Sequence, residues 1–407
     1  MSEIGLRAMS GLGFIVLLAV AWLASSNRAA IDRRAIGIGI AIQIGLAVVL
    51  LATPVGTFFF SLVESPVAIL IDTTQAGVRF VFGPLAELGH SFALDVLPII
   101  IFMGSLFSIF YHLGWIQPLV KGLARLLAHT MRLSGAEALA AIANIFVGMI
   151  ESAVVIRPYI GNMTRSELFT FMTLGMSTIA GSVLLAYVSI LGGGHFAGHL
   201  IVASLFSAPA GIIVAKVMIP ETEVPETLGT APELEETTTC NLIDAAAEGG
   251  MVGMRLALNI GALLIAFVAL IALANTIVGG IFGAPDLTLQ AILGLLLAPL
   301  AWLMGIPWAD AREVGSLIGL KTVINEFVAY QALADAIREG LIAERSAIIA
   351  SSALCGVANF GSLAILLGGI QGIAPERRPE AAELGLRSIL GGTLATCMTG
   401  CLAGMII

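Results

Sequence analysis

The sequence predicts an all-α polytopic membrane protein: eight transmembrane helices plus two oppositely oriented re-entrant hairpins, arranged as an inverted repeat. Three observations carry this. Of 407 residues, 58% are hydrophobic and 11% charged, whereas a soluble domain is about 25% charged. Apolar runs of bilayer-spanning length recur along almost the whole chain. Residues too polar for lipid gather in two stretches, 134–161 and 309–335, one in each half.

The first unit is residues 1–92. Span one, about 10–26, lacks a cleavage site and is retained rather than removed as a signal peptide. Arg28, Arg33 and Arg34 place the next loop in the cytoplasm, and span two covers about 35–58. Residues 60–92, interrupted by Glu64, Asp72, Arg79 and Glu87, read as an interfacial amphipathic segment. The second unit is 93–219. Span three runs from Asp95 to Trp115, and Lys121, Arg125 and His129 mark an amphipathic surface helix after it. Residues 134–161 carry Glu137, Asn144 and Glu151, which suit a hairpin buried in protein better than a full span. Arg157 and Arg165 keep both of its ends cytoplasmic. Span four, about 168–191, holds Thr173, Ser177, Thr178, Gly181 and Ser182, so it breaks or packs closely. Span five is about 198–219.

Residues 220–254 divide the halves. Pro220–Glu236 is rich in glutamate and proline and reads as a disordered linker. A short amphipathic piece, Cys240–Met251, follows it. The last unit, 255–407, has span six at about 255–279 and an apolar helix at 287–305 broken by Pro299. Its hairpin, 309–335, carries Asp310, Arg312, Glu313, Lys321, Asn325 and Glu326 and opens to the outside. Span seven, about 346–369, contains Asn359, Gly361 and Ser362. Arg377 and Arg378 return the chain to the cytoplasm before span eight, about 384–405. Both termini are then extracytoplasmic, and most Lys and Arg residues fall on the cytoplasmic side.

Several function classes drop out. No basic patch could track phosphates, so nucleic acid is not a partner. The four cysteines and five histidines show no metal-ligand spacing. No nucleophile–base pair, nucleotide loop or metal cluster supports an enzyme. What stands out is an intramembrane carboxylate in each half, Glu151 and Glu326, because ionisable groups in that setting mark transport pathways. Inverted repeats of this kind place their site near the midplane, where the halves meet.

The motifs then become recognisable. Gly319-Leu320-Lys321-Thr322 leads into Asn325-Glu326-Phe327-Val328-Ala329-Tyr330, and Ala353-Leu354-Cys355-Gly356 leads to Ala358-Asn359-Phe360. Ile156-Arg157-Pro158-Tyr159, Met163-Thr164-Arg165-Ser166-Glu167-Leu168 and Thr178-Ile179-Ala180-Gly181-Ser182-Val183 occur upstream. Ala374-Pro375-Glu376-Arg377-Arg378 and Gly391-Gly392-Thr393 follow downstream. Together they resemble the concentrative nucleoside transporter family over essentially the whole chain. The resemblance implies a sodium-coupled nucleoside symporter of the bacterial inner membrane, a lipid-embedded homotrimer working as an elevator-type transporter. It implies that Glu326, Asn359 and Ser362 hold the ribose, with Val357 near the sugar. Gly148, Met149, Ile150, Glu151 and Val183 would meet the base. Sodium would be held by Asn144, Val147, Thr178 and Ile179. Proton coupling through Glu151 or Glu326 is the competing expectation, and a binding or sensing paralogue a third. The family usually has Gln and Thr/Ser where this chain has Met149 and Ile150, so discrimination among bases is expected to change.

Overall fold

The computed structural model describes residues 2–87, 91–229, 239–283 and 288–407, and the account below concerns these. The described elements are helical, with one isolated bridge pairing Ser134 and Leu228. The first helices are α1 (Glu3–Leu23), α2 (Arg33–Ala52), α3 (Pro54–Phe82), α4 (Phe92–Asp95), α5 (Leu97–His112) and α6 (Ile116–Met131). Hairpin 1 is α7 (Gly135–Val147) and α8 (Met149–Val155), followed by α9 (Arg157–Ile160). Then come α10 (Arg165–Ser177), α11 (Gly181–Ile190) and α12 (His195–Met218). The second half has α13 (Leu242–Phe282), α14 (Leu289–Leu303) and hairpin 2, α15 (Trp308–Val323) with α16 (Glu326–Arg338). It closes with α17 (Glu344–Leu354), α18 (Phe360–Ile373) and α19 (Arg378–Ile406).

Eight helices or helix pairs are long and apolar enough to cross a membrane. Several boundaries differ from the sequence reading. Span two ends at Ala52, because Thr53 caps the next helix with its hydroxyl and Pro54 stands at its first position. The segment expected to be interfacial is therefore one 29-residue helix, α3, which itself meets the length and composition of a span. Spans four and seven are each broken in two, at Thr178–Ala180 and at Cys355–Asn359. The amphipathic piece and span six are one 41-residue helix, α13. Gly249 and Gly253 do not interrupt it. They let it approach α5, since a Cβ on Gly249 would lie 2.4 Å from the Gly104 carbonyl oxygen.

The first part of the expected linker is ordered. Residues 230–238 lie outside the described residues, but Ile219–Gly229 is pinned to the base of hairpin 1. Gly135 N donates to Thr227 O at 2.9 Å and Ala136 N to Thr227 Oγ1 at 3.1 Å, satisfying amides that the start of α7 leaves unpaired. Glu221 accepts from Thr164 Oγ1 at 2.8 Å. Beneath it Lys216 bonds Ser166 Oγ at 3.0 Å and pairs with the buried Glu137.

The two hairpins enter from opposite faces. Arg7 Nη2 donates to Ile407 O at 2.8 Å, so both chain ends share one face. On that face Arg345, at the start of α17, bonds Gly404 O and Gly305 O, and Asp310 of hairpin 2 accepts from Ala343 N and Ser346 Oγ. At the opposite face Arg165, at the start of α10, pairs with Glu380 and Glu383 at the start of α19. There Arg377 donates to the carbonyls of Ile160, Gly161 and Met163, just after hairpin 1. α12 and α19 cross between the halves, where Ser207 Oγ and Thr399 Oγ1 hydrogen-bond at 3.1 Å.

Candidate substrate site

Hairpin 1 turns at Gly148, which ends α7 and caps α8 with φ 105° and ψ 174°. A side chain there would be strained, and its Cβ would lie 3.0 Å from Glu151 Oε2 and 3.1 Å from Ala180 Cβ. One turn earlier, Asn144 is 3% exposed and reaches the break between α10 and α11. Its Nδ2 donates to Leu174 O at 2.9 Å and to Thr178 Oγ1, and its Oδ1 faces Ser152 Oγ at 3.5 Å. Ile179 O, freed by the same break, accepts from Ser204 Oγ of α12 at 3.3 Å.

Hairpin 2 turns at Ile324–Asn325. Asn325 caps α16 by accepting from Val328 N at 3.0 Å, which leaves Glu326 at the first position of that helix. A carboxylate suits the positive end of the dipole. Glu326 is 6% exposed. Its Oε1 accepts from Tyr187 Oη at 3.0 Å and its Oε2 from Asn359 Nδ2 at 2.9 Å. Asn359 also caps α18, since its Oδ1 accepts from Ser362 N at 2.8 Å. Tyr187 stacks on Tyr330 at 4.6 Å between ring centroids, which fixes the hydroxyl it offers.

Both tips and both broken helices line one cavity of about 310 Å³, within the ~300–1,000 Å³ range of small-molecule sites. Gly148, Met149, Ile150, Glu151 and Val183 lie on its walls together with Glu326, Val357, Asn359 and Ser362. Asn144, Val147, Thr178 and Ile179 line it as well. Every residue that the family resemblance assigns to the substrate or the ion thus lines one cavity. Glu151 differs from Glu326 in being exposed, and it also borders a second cavity of about 320 Å³ between α5, α8 and α13.

Three polar lining residues escape the sequence reading. Tyr187 follows Val183 by one helical turn and so shares its face. Arg255 and Asn259 are one turn apart on α13 and close the cavity from the other side. The polar i, i+4 pair in an otherwise apolar stretch is the available signal, hidden because Arg255 falls at the expected boundary of span six.

Comparison with known proteins separates this arrangement from a chance grouping. The family profile described as Na+ dependent nucleoside transporter C-terminus matches residues 199–404, and its N-terminal companion matches 12–85. A profile described as nucleoside recognition covers 93–194. The chain belongs to the concentrative nucleoside transporter family. This transporter is 44% identical to an uncharacterized transporter, YutK, of Bacillus subtilis, over 97% of this chain and 98% of that one. It is 38% identical to the nucleoside permease NupC of Helicobacter pylori, over 98% and 97% of the two chains. It is also 38% identical to the mouse solute carrier family 28 member 3, covering 97% of this chain and 58% of the relative. Among solved structures, that of CNTnw in an inward-facing substrate-bound state superposes with a TM-score of 0.92 at 41% identity, covering 98% of both chains. Variants of CNTnw in outward-facing and intermediate states superpose similarly, one outward-facing variant at 0.92 and 42% identity over 98% and 97% of the chains. The chain is therefore a multi-pass membrane transporter and not an enzyme.

Proposed function

We propose that this transporter imports nucleosides by symport with sodium, binding both in the cavity between the hairpin tips. The observation that carries the reading is the convergence of Glu326, Asn359 and Ser362 with Glu151 around one cavity. A carboxylate held by Tyr187 and Asn359 is fixed in place to accept from the vicinal hydroxyls of a ribose. Met149, Ile150 and Val183 offer the base an apolar wall. Sodium is a hard cation that takes oxygen donors at helix breaks. Here the side chains of Asn144 and Thr178 and the carbonyls of Val147 and Ile179 are the candidates, and all four residues border the cavity. The sodium-dependent family description supports the same ion.

In this reading the hairpins, α10–α12 and α17–α19 form the moving unit, and α5 and α13 form part of the wall it passes. A homotrimer would hold that wall still in the lipid, with both chain ends extracytoplasmic. The test is uptake of radiolabelled nucleosides into proteoliposomes under separate sodium and proton gradients. Accumulation driven by sodium alone is expected. Accumulation driven by protons alone would replace sodium with a titrating carboxylate. Nucleoside binding without accumulation under either gradient would make the protein a sensor.

A further inference from the structure

The pseudo-twofold relation between the halves extends to the ion site, and there the halves differ in charge. In hairpin 1 the polar residue four positions before the turning residue Gly148 is Asn144, which donates to Leu174 O in the last turn of α10. In hairpin 2 the residue four positions before Asn325 is Lys321, whose Nζ donates to Ala353 O in the last turn of α17 at 3.0 Å. The span that follows each broken helix supplies a hydroxyl. Ser204 of α12 bonds Ile179 O at 3.3 Å, and Thr396 of α19 accepts from Lys321 Nζ at 2.9 Å. Three residues on from each, Ser207 and Thr399 hydrogen-bond to one another, where the two spans cross. The same oxygen-rich break is therefore built twice. Around Asn144 it is left to an exchangeable guest. In the second half an ammonium, 1% exposed, stands in it.

We propose that Lys321 is a tethered cation occupying the second repeat's counterpart of the ion site, so that each protomer takes up one coupling ion rather than two. A buried ammonium needs acceptors and a counter-charge. Ala353 O and Thr396 Oγ1 supply the first, and the carboxylate placed to serve as the second is Glu326, five residues along the same hairpin. Glu151 has no ion-pair partner among the described residues, and on the sodium reading above, on which this inference rests, its charge is balanced only when the ion is bound. The carboxylate of the sugar-binding tip thus has a cation built into its own hairpin, and the carboxylate of the other tip gains one on loading. Crossing the low-dielectric centre favours the neutral state, which ties movement to ion occupancy through a single site.

The experiment gives hairpin 2 the residue found in hairpin 1. Lys321→Asn, Lys321→Arg and wild type are compared in proteoliposomes for uptake against sodium concentration, and in detergent for thermal midpoint in sodium or choline chloride. Lys321→Asn is expected to steepen the sodium dependence of uptake from a Hill slope near one toward two. In detergent its midpoint should rise with sodium by more than that of wild type, since a ligand stabilises the state that binds it. Lys321→Arg, which keeps the charge, should follow wild type. If Lys321→Asn is too unstable to transport, sodium but not choline should still restore its midpoint. Equal midpoints of Lys321→Asn in the two salts, or Lys321→Arg acquiring the steeper slope, would overturn the proposal. Wild type without any sodium dependence would instead sink the sodium reading, and the difference between Lys321→Asn and wild type would still report on the tethered cation.

Discussion

The two hairpin tips have the same outline and opposite finish. At the tip of hairpin 2 both polar side chains are engaged: Asn325 caps α16, and Glu326 is held by Tyr187 and Asn359. At the tip of hairpin 1, Glu151 is open to the cavity, and the residues before it, Met149 and Ile150, have no hydrogen-bonding side chain. Preorganised donors and acceptors reject ligands that leave them unpaired, whereas apolar walls discriminate only weakly. On the proposed reading, the hairpin 2 side, which would meet the sugar, is therefore built for selectivity, and the hairpin 1 side, which would meet the base, for tolerance.

Four substitutions probe that contrast. The largest effect is expected from Glu326→Gln. Losing charge-assisted bonds to two hydroxyls, each of about 1.5–3 kcal/mol, should lower ribonucleoside uptake by about 100-fold or more, measured as initial rates in proteoliposomes. Undiminished uptake would remove Glu326 from the ribose. Next, Asn144→Leu should flatten the dependence of uptake on external sodium while nucleoside binding, followed by calorimetry, persists. Gly148→Ala acts on the turn itself: forcing a side chain into φ 105° should cost about 1–3 kcal/mol and lower the thermal midpoint of the purified protein. Smallest is Tyr187→Phe, which removes one bond to Glu326, and a KM increase of about fivefold corresponds to about 1 kcal/mol. Beside these, Met149→Gln combined with Ile150→Thr should change the ranking of nucleosides in competition assays without changing the requirement for the ribose hydroxyls. An unchanged ranking would make the pair packing residues only.

The site was legible because its polar residues are conspicuous against apolar sequence: Asn144, Glu151, Asn325 and Glu326 have few soluble-protein explanations inside helices of this composition. The break in span four announced itself through Thr178 and Gly181. Other features were not legible, each for a local reason. Lipid-facing and protein-facing helices share an apolar composition, so nothing in the sequence marks α3 as continuous from Pro54. The amphipathic stretch Cys240–Met251 differs in composition from the apolar run after it, which concealed the single long helix α13, in which Gly249 and Gly253 are contact points. The first part of the acidic linker resembles a disordered segment by composition, but Thr227 and Glu221 spend their hydrogen bonds on the base of hairpin 1. Tyr187 reads as one more aromatic ring until Glu326 is placed 3.0 Å from its hydroxyl.

The close approach of α5 and α13 has a mechanical consequence. Where Gly104, Gly249 and Gly253 bring two backbones together, close packing opposes separate bending of the two helices, as depth stiffens a beam. Val252, Arg255 and Asn259, which close the cavity opposite the hairpin tips, ride on that beam. On the elevator reading proposed above, a change in access to the cavity then comes from displacement of the tips along a rigid wall. A bulky substitution in the glycine seam would soften that wall and blur the endpoints of the stroke, leaving every residue in contact with the nucleoside as it was.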